Sequence, residues 1–166
     1  MHVAFFRNLN LGQPTSPNRD QLLEAFAAEG AIDVLSHQSN GTVAFRAPAH
    51  DPQVIGDAVA RRLGQVCSYA DITLVRPVDW LASLGLGDLP EGCELTLVDG
   101  PSPFPEALPW SPSPEVTVLG ADHLHAVVQN HLARRSFGTR VVERRLGVPA
   151  TSRGVDTVLR LLARLS

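Results

Sequence analysis

The sequence contains no lysine, and all 14 of its basic residues are arginine. A Schiff-base mechanism needs a lysine amine, and the Walker-type phosphate loop needs a lysine at a fixed position, so both are excluded. The G-x-S-x-G elbow, the H-E-x-x-H zinc motif and the EF-hand loop are also missing from the 166 residues. The sequence therefore identifies no catalytic residue.

Cysteine and long apolar runs are scarce as well. Cys67 and Cys93 are the two cysteines, and neither belongs to a C-x-x-C pair. We expect two reduced thiols in a cytoplasmic protein, because no signal peptide and no membrane-spanning run is visible. His123 and His125 alternate along a predicted strand, but a third ligand at suitable spacing is missing. We therefore expect no metal, no other cofactor and no membrane partner.

The charge is unevenly distributed along the chain. Residues 1–120 contain 6 arginines and 14 acidic groups, which gives −8, whereas residues 121–166 contain 8 arginines and 3 acidic groups, which gives +5. A positive C-terminal part favours anionic partners. The alternative is an arginine-rich helical face that complements the acidic part of the same chain.

Apolar periodicity predicts six elements in the first half of the chain. In order, they are a strand, a helix, two strands, a helix and a strand, at residues 3–6, 17–29, 32–35, 42–45, 52–63 and 72–75. Ser16 is the expected cap of the first helix, with Pro17 at its first position, and Gly64 is the expected end of the second. Asn40 and Gly41 predict a type I′ hairpin turn.

This order predicts an α+β fold that begins with a ferredoxin-like βαββαβ unit over residues 1–77. A second, smaller α+β unit is expected over residues 78–166. Its predicted strands and helices lie at residues 94–98, 116–119, 123–129, 138–146 and 153–165. Six of the 13 prolines fall within residues 99–114, which we interpret as an extended loop, because proline interrupts both helices and central strands.

The start of the last predicted helix is a candidate anion site. Thr151 or Ser152 would cap this helix, and its unpaired backbone N–H groups attract anions. Arg153 would add a bidentate donor for phosphate or carboxylate. An ordinary capping turn with a surface arginine is the alternative.

Residues 5–9 (F-F-R-N-L) resemble the first-strand motif of RNA-recognition domains. In that family the third strand carries further aromatic residues that stack on bases. Thr42 and Ala44 occupy the corresponding positions here, so much of the stacking energy is missing. RNA binding in the manner of that family is kept as an alternative.

Three segments together resemble the bacterial "domain of unknown function 1697" family. They are residues 6–12 (F-R-N-L-N-L-G), 38–45 (Q-S-N-G-T-V-A-F) and 143–153 (E-R-R-L-G-V-P-A-T-S-R). The resemblance implies ferredoxin-like α+β subdomains and no particular activity. The chain departs from the family pattern at Asn8, Gln13 and Thr42, as a divergent member would. The matching polar positions are Arg7, Asn10, Gln38, Ser39, Thr151, Arg153 and Thr157.

Two functional hypotheses follow from these observations. The first is a non-catalytic binding module for an anionic ligand, either a phosphate-bearing small molecule or a nucleic acid. Its predicted ligand-binding residues are Arg7, Asn10, Gln38, Ser39, Thr151, Ser152, Arg153 and Thr157. This hypothesis requires the N-terminal segment and the last helix to lie close together. The second is an enzyme that uses a polar cleft, which requires a histidine or carboxylate beside Ser39 or Arg7. The oligomeric state is left open, and the 99–114 loop is a candidate interaction arm.

Overall fold

The computed structural model describes residues 1–100, 104–132 and 135–166. The chain divides into two compact units, Met1–Ser83 and Leu84–Ser166. Each unit combines an antiparallel sheet with helices, so the predicted α+β fold class is confirmed. None of the helices in the described ranges is long and apolar enough to cross a membrane.

The first unit follows the predicted order of strands and helices and ends in a short helix. Its elements are β1 (His2–Phe6), α1 (Arg19–Ala28), β2 (Ile32–His37), β3 (Thr42–Arg46), α2 (Pro52–Cys67), β4 (Thr73–Pro77) and α3 (Val78–Ser83). The four strands form an antiparallel sheet in the order β2-β3-β1-β4. The N-terminal strand is therefore central, and its last residues lead into the loop that carries Arg7 and Asn10.

Helices α1 and α2 pack together against the sheet and build the core of this unit. Phe6, Phe26 and Phe45 lie at its centre, and all three are fully buried. Burying an aromatic or large aliphatic side chain stabilises a fold by about 1.5–3 kcal/mol. Because β-strand side chains alternate between faces, Val3 and Phe5 point away from this core, and they are buried as well.

The predicted start of α1 and the predicted end of α2 are both wrong. Helix α1 begins later than expected, because Asn18 rather than Ser16 caps it and forms a capping box with Gln21. Helix α2 continues past Gly64, which we expected to end it. A Cβ on Gly64 would lie 2.8 Å from the backbone oxygen of Tyr69, so this glycine permits a close approach inside the helix.

The β2–β3 hairpin is present, but its turn is not type I′. His37 pairs with Thr42, and positive φ angles occur at Gln38 and Gly41 rather than at Asn40. The connection is four residues long, so a two-residue turn does not form. Gly41 is also required sterically, because a Cβ there would lie 2.8 Å from the Cβ atom of Leu9.

The second unit is a five-stranded antiparallel sheet with two helices. Its elements are a 3-10 turn (Leu86–Asp88), β5 (Cys93–Val98), β6 (Trp110–Ser113), β7 (Val116–Ala121), β8 (His125–Asn130), α4 (Gly138–Leu146), β9 (Ala150–Gly154) and α5 (Val155–Leu165). The strand order is β6-β7-β8-β5-β9. Helix α4 packs on a core that contains Val98, Val118, Val128 and Val142.

Part of the proline-rich segment is a strand rather than a loop. Within the predicted 99–114 loop, β6 pairs with β7 through Trp110 opposite Val118 and Ser113 opposite Val116. β6 lies at the edge of the sheet. Proline is tolerated there, because Pro112 has no N–H to donate but an edge strand pairs on one side only. Residues 101–103 of this segment lie outside the described residues.

Candidate functional site

In the first unit, Arg7 is bound to a carboxylate of the same unit. Its Nη1 atom lies 2.8 Å from Oδ2 of Asp71, and the side chain of Asn8 donates to the same oxygen at 2.8 Å. The other oxygen, Oδ1, accepts from the backbone N–H of Ile72. Asp71 is therefore the carboxylate that the enzyme hypothesis requires beside Arg7, but both of its oxygens are engaged. No sequence motif marks Asp71, which lies 64 residues from Arg7.

The loop after β1 and the β2–β3 turn meet through the backbone. The N–H of Leu11 donates to the carbonyl oxygen of Ser39 at 2.7 Å, and the N–H of Phe6 donates to the carbonyl of Gly41 at 2.9 Å. These bonds bring the predicted residues Asn10 and Ser39 to neighbouring positions. Asn10, Gln38 and Ser39 are all exposed.

In the second unit, the predicted helix cap is wrong. Thr151 and Ser152 belong to β9, which pairs with β5, and α5 begins only after Gly154, without a side-chain cap. The strand forms because β5 offers a free edge on this side, and that tertiary pairing outweighs the local capping pattern. Arg153 is 7% exposed, and its Nη1 atom donates to Oγ1 of Thr151 at 2.9 Å and to the carbonyl of Ser152 at 2.8 Å. Thr157 accepts from Arg160 within α5.

A buried polar cluster holds the start of helix α4. Oε2 of Glu94 accepts from the N–H of Gly138 at 3.0 Å, and Oδ1 of Asn130 accepts from the N–H of Phe137 at 3.0 Å. The Ser152 hydroxyl lies 2.8 Å from the hydroxyls of both Thr96 and Thr139. The amides of Phe137 and Gly138 are thus satisfied by protein oxygens.

The exposed side of α4 borders a groove of about 560 Å³. We call it the arginine groove, and it is lined by Trp110, Pro112, Ser113, Val116, Phe137, Arg140, Val141, Arg144 and Arg145. Arg145 forms an ion pair with Glu106. Arg140 and Arg144 are exposed, and within the described ranges neither forms an ion pair or hydrogen bond through its side chain. The groove therefore presents, beside a tryptophan and a phenylalanine, two guanidinium groups that have no partner among the described residues.

The sequence did not single out this groove, although two signals pointed toward it. The excess of arginine after residue 120 indicated the correct end of the chain. Arg140 and Arg144 are four residues apart in a correctly predicted helix, which places them on one face. The position of Trp110 in the groove lining was not predicted, because residues 99–114 were expected to be a loop.

A second, smaller cavity of about 320 Å³ lies near the start of β5. Cys93, Glu94, Asn130, Arg135 and Asp156 are among its lining residues. Burial raises the pKa of the Cys93 thiol, so its reactive thiolate form is disfavoured. In the part of the chain that the structure describes, no group of three or more histidine, cysteine, aspartate or glutamate side chains is arranged to hold a metal ion.

One of the two histidines of the β7–β8 hairpin is tied to a carboxylate. Nδ1 of His125 lies 2.9 Å from Oδ1 of Asp122, and this oxygen also accepts from the N–H groups of Leu124 and His125. Burial acts to raise the pKa of Asp122, but the hydrogen bonds and the histidine outweigh it and hold the pKa below its usual value. The Asp122 carboxylate therefore stabilises the turn in which it lies.

Residues 1–88 match the model of a protein family, described as "Protein of unknown function (DUF1697)". The chain belongs to this family. As a member of the DUF1697 family, it is also similar to the solved structure of a conserved bacterial protein from Streptococcus pneumoniae. That likeness covers 99% of this chain and 97% of the other, with a TM-score of 0.66 and 13% sequence identity, and it establishes a shared fold. No curated protein sequence matches the chain.

Proposed function

We propose that this DUF1697 protein is a non-catalytic binding module for a phosphate-bearing ligand, which it holds in the arginine groove. The observation that carries the proposal is the exposure of Arg140 and Arg144 beside Trp110 and Phe137, with no partner for either guanidinium among the described residues. The ligand is a small phosphate-bearing molecule or a nucleic acid.

The spacing of the two arginines suits one anionic group. Residues four apart on a helix have Cβ atoms about 5–6 Å apart, so both side chains can reach a single phosphate. Guanidinium groups stay charged at all physiological pH values and bind phosphate through two parallel hydrogen bonds. The side chain of Arg145 is held by Glu106 and adds a third positive charge that is largely neutralised.

The sheet of the first unit offers less to a nucleic acid. An RNA-recognition domain stacks bases on exposed residues of its central strands. Phe5, Thr42 and Ala44 occupy the corresponding positions here, and all three are buried. This burial favours the groove over the sheet face as the binding surface.

An enzymatic role has less support from the geometry. Asp71 lies beside Arg7, but its oxygens already accept from Arg7, Asn8 and the backbone of Ile72. These contacts hold the carboxylate in a structural ion pair with Arg7, within the fold of the first unit. The ligand-binding roles of Arg7, Asn10, Gln38, Ser39, Thr151, Ser152, Arg153 and Thr157, and the close approach of the two chain ends, stay predictions.

The test is a titration of the full chain with pyrophosphate, a mononucleotide and a ten-nucleotide single-stranded RNA. Binding is measured by calorimetry at about 50 mM and about 200 mM salt, because contacts to phosphate weaken as salt rises. We expect binding that decreases with salt. In the double variant Arg140→Gln/Arg144→Gln the affinity falls at least roughly tenfold, since a hydrogen bond to a charged group is worth about 1.5–3 kcal/mol.

The matched control is the double variant Arg61→Gln/Arg164→Gln. It removes the same charge from two exposed arginines, one in α2 and one in α5, outside the groove. We expect this control to retain nearly all of the affinity. Equal losses of affinity in the two variants would mean that binding depends on the net charge of the chain and not on the groove. The absence of binding by every probe would contradict the proposal.

A further inference from the structure

The arginine groove has an aromatic wall that phosphate binding does not need. Trp110 and Phe137 both line it, although the chain has only 2 tryptophans and 6 phenylalanines in all. An inorganic phosphate gains little from an indole ring. A ligand with a planar ring attached to its phosphate would use both parts of the groove.

The indole of Trp110 is held in place by packing against the core of the second unit. Its ring centroid lies 5.5 Å from that of Phe104 at an interplanar angle of 52°, and Phe104 is 8% exposed. The backbone of Trp110 is fixed by its pairing with Val118 across β6 and β7. Because the ring is already ordered, stacking on it costs a ligand little side-chain entropy.

The groove has the size and the charge placement that a nucleotide requires. A volume of about 560 Å³ lies within the range of about 300–1,000 Å³ that is usual for small-molecule sites. Phe137 and Arg140 lie within one turn at the start of α4, and Arg144 lies one turn further along. The groove lining therefore combines aromatic side chains with two cationic side chains on one helix.

We propose that the arginine groove binds a nucleotide, with its base stacked on Trp110 and its phosphate held by Arg140 and Arg144. This inference rests on the proposed function and narrows its ligand. The bound nucleotide is either a free mononucleotide or part of a single-stranded nucleic acid. A duplex is disfavoured, because its bases are stacked on one another and offer no face to the indole.

The chain allows a direct optical test, because Trp80 is the only other tryptophan. The variant Trp80→Phe leaves Trp110 as the sole indole reporter. It is titrated with uridine monophosphate, with ribose 5-phosphate and with a ten-nucleotide oligouridine. The first and third probes carry bases, and the second carries the same phosphate without one.

We expect the two base-carrying probes to quench Trp110 and to bind roughly 5- to 150-fold more tightly than ribose 5-phosphate, which is the range measured for stacking of one base on an aromatic side chain. Calorimetry with the same probes gives the affinities of the variants that lack this indole. Trp110→Leu removes the preference for base-carrying probes and leaves the affinity for ribose 5-phosphate unchanged, whereas Trp110→Phe keeps part of the preference. The thermal midpoint of each variant identifies any that fails to fold, and Trp110→Phe then gives the result.

The outcomes separate this inference from the proposed function. If all three probes bind through Arg140 and Arg144 but show no preference for a base, the nucleotide assignment is overturned and the phosphate module stands. If no probe binds, both are overturned. Tighter binding of the oligouridine than of the mononucleotide identifies a single strand as the source, and equal affinity identifies a free nucleotide.

Discussion

The two units use their carboxylates differently. In the first unit, three carboxylates form ion pairs with arginines: Asp71 binds Arg7, and the same pairing joins Glu29 to Arg62 and Asp33 to Arg46. In the second unit, Glu106 forms an ion pair with Arg145, but Glu94, Asp122 and Glu143 accept hydrogen bonds from backbone amides.

The arginine groove is positive because three arginines and no carboxylate line it. Among the described residues, Arg145 has a carboxylate partner, Glu106, and the other two arginines have none. Arg140 and Arg144 therefore keep their charge exposed next to a well-ordered helix. The comparison teaches that net charge alone does not locate a binding surface, because the pairing of each charge decides whether a ligand can use it.

The largest expected effect concerns the polar cluster that holds helix α4. A Cβ on Gly138 would collide with Oγ1 of Thr96 and would lie 2.8 Å from Oγ of Ser152 and 3.0 Å from Oε2 of Glu94. Gly138→Ala should lower the free energy of unfolding by about 3 kcal/mol, because overpacking costs about 1–3 kcal/mol and buried hydrogen bonds are lost with it. Urea unfolding of the full chain measures this loss.

Gly120→Ala is the matched control for that change. No atom lies within 4 Å of a Cβ at this position. We expect a change within about 0.5 kcal/mol, as is usual for surface substitutions. If Gly138→Ala were equally harmless, the carboxylate–amide arrangement would not be what orders α4.

Much of the fold could be predicted from the sequence, because hydrophobic periodicity and the residues that begin and end helices and strands are local properties. The apolar stripe of α2 identified that helix from its own residues. The error at the start of α5 occurred because a distant residue decides the structure there. Thr151 looks like a helix cap, but it pairs with Leu97 of β5, and that partner lies 54 positions away.

The candidate site was less predictable for the same reason. The charge excess after residue 120 was visible in the sequence, but the pairing of each arginine was not. Arg7 and Arg153 have protein oxygens as partners, whereas Arg140 has none among the described residues. Pairing depends on groups such as Asp71 that approach only when the chain has folded.

The second prediction separates structural arginines from binding arginines. Arg7 and Asp71 have side-chain exposures of 25% and 17%, so their ion pair is only partly screened by solvent. Arg7→Gln should reduce the free energy of unfolding by about 1–1.5 kcal/mol, because Asp71 loses a charged donor. Arg140→Gln should leave stability within about 0.5 kcal/mol of the parent chain, because its guanidinium is exposed and has no partner among the described residues.

Thermal unfolding of the two single variants, run side by side at neutral pH, measures the contrast. A loss of stability in Arg140→Gln as large as that in Arg7→Gln would mean that the groove arginines are structural. The distinction between the two units would then fail.

The smallest effect is a pH dependence that arises at the β7–β8 hairpin. The pKa of Asp122 is below its usual value, since the hydrogen bonds from Leu124 and His125 outweigh the effect of burial. A carboxyl whose pKa is lower in the folded chain binds fewer protons there than in the unfolded chain. Its stabilisation is therefore fully present above the unfolded pKa and is lost as the pH falls through the folded pKa.

The variant Asp122→Asn isolates this contribution. It should cost about 1 kcal/mol near neutral pH, where an ionised carboxylate accepts the two backbone hydrogen bonds. The difference from the parent chain should shrink below about pH 4, where the unfolded carboxyl of the parent becomes protonated. Glu115→Gln, which removes an exposed carboxylate from the β6–β7 turn, is the control and should show no such convergence. Parallel profiles for Asp122→Asn and the parent down to low pH would mean that this carboxylate does not hold the hairpin through its charge, and that the second unit orders its turns by other means.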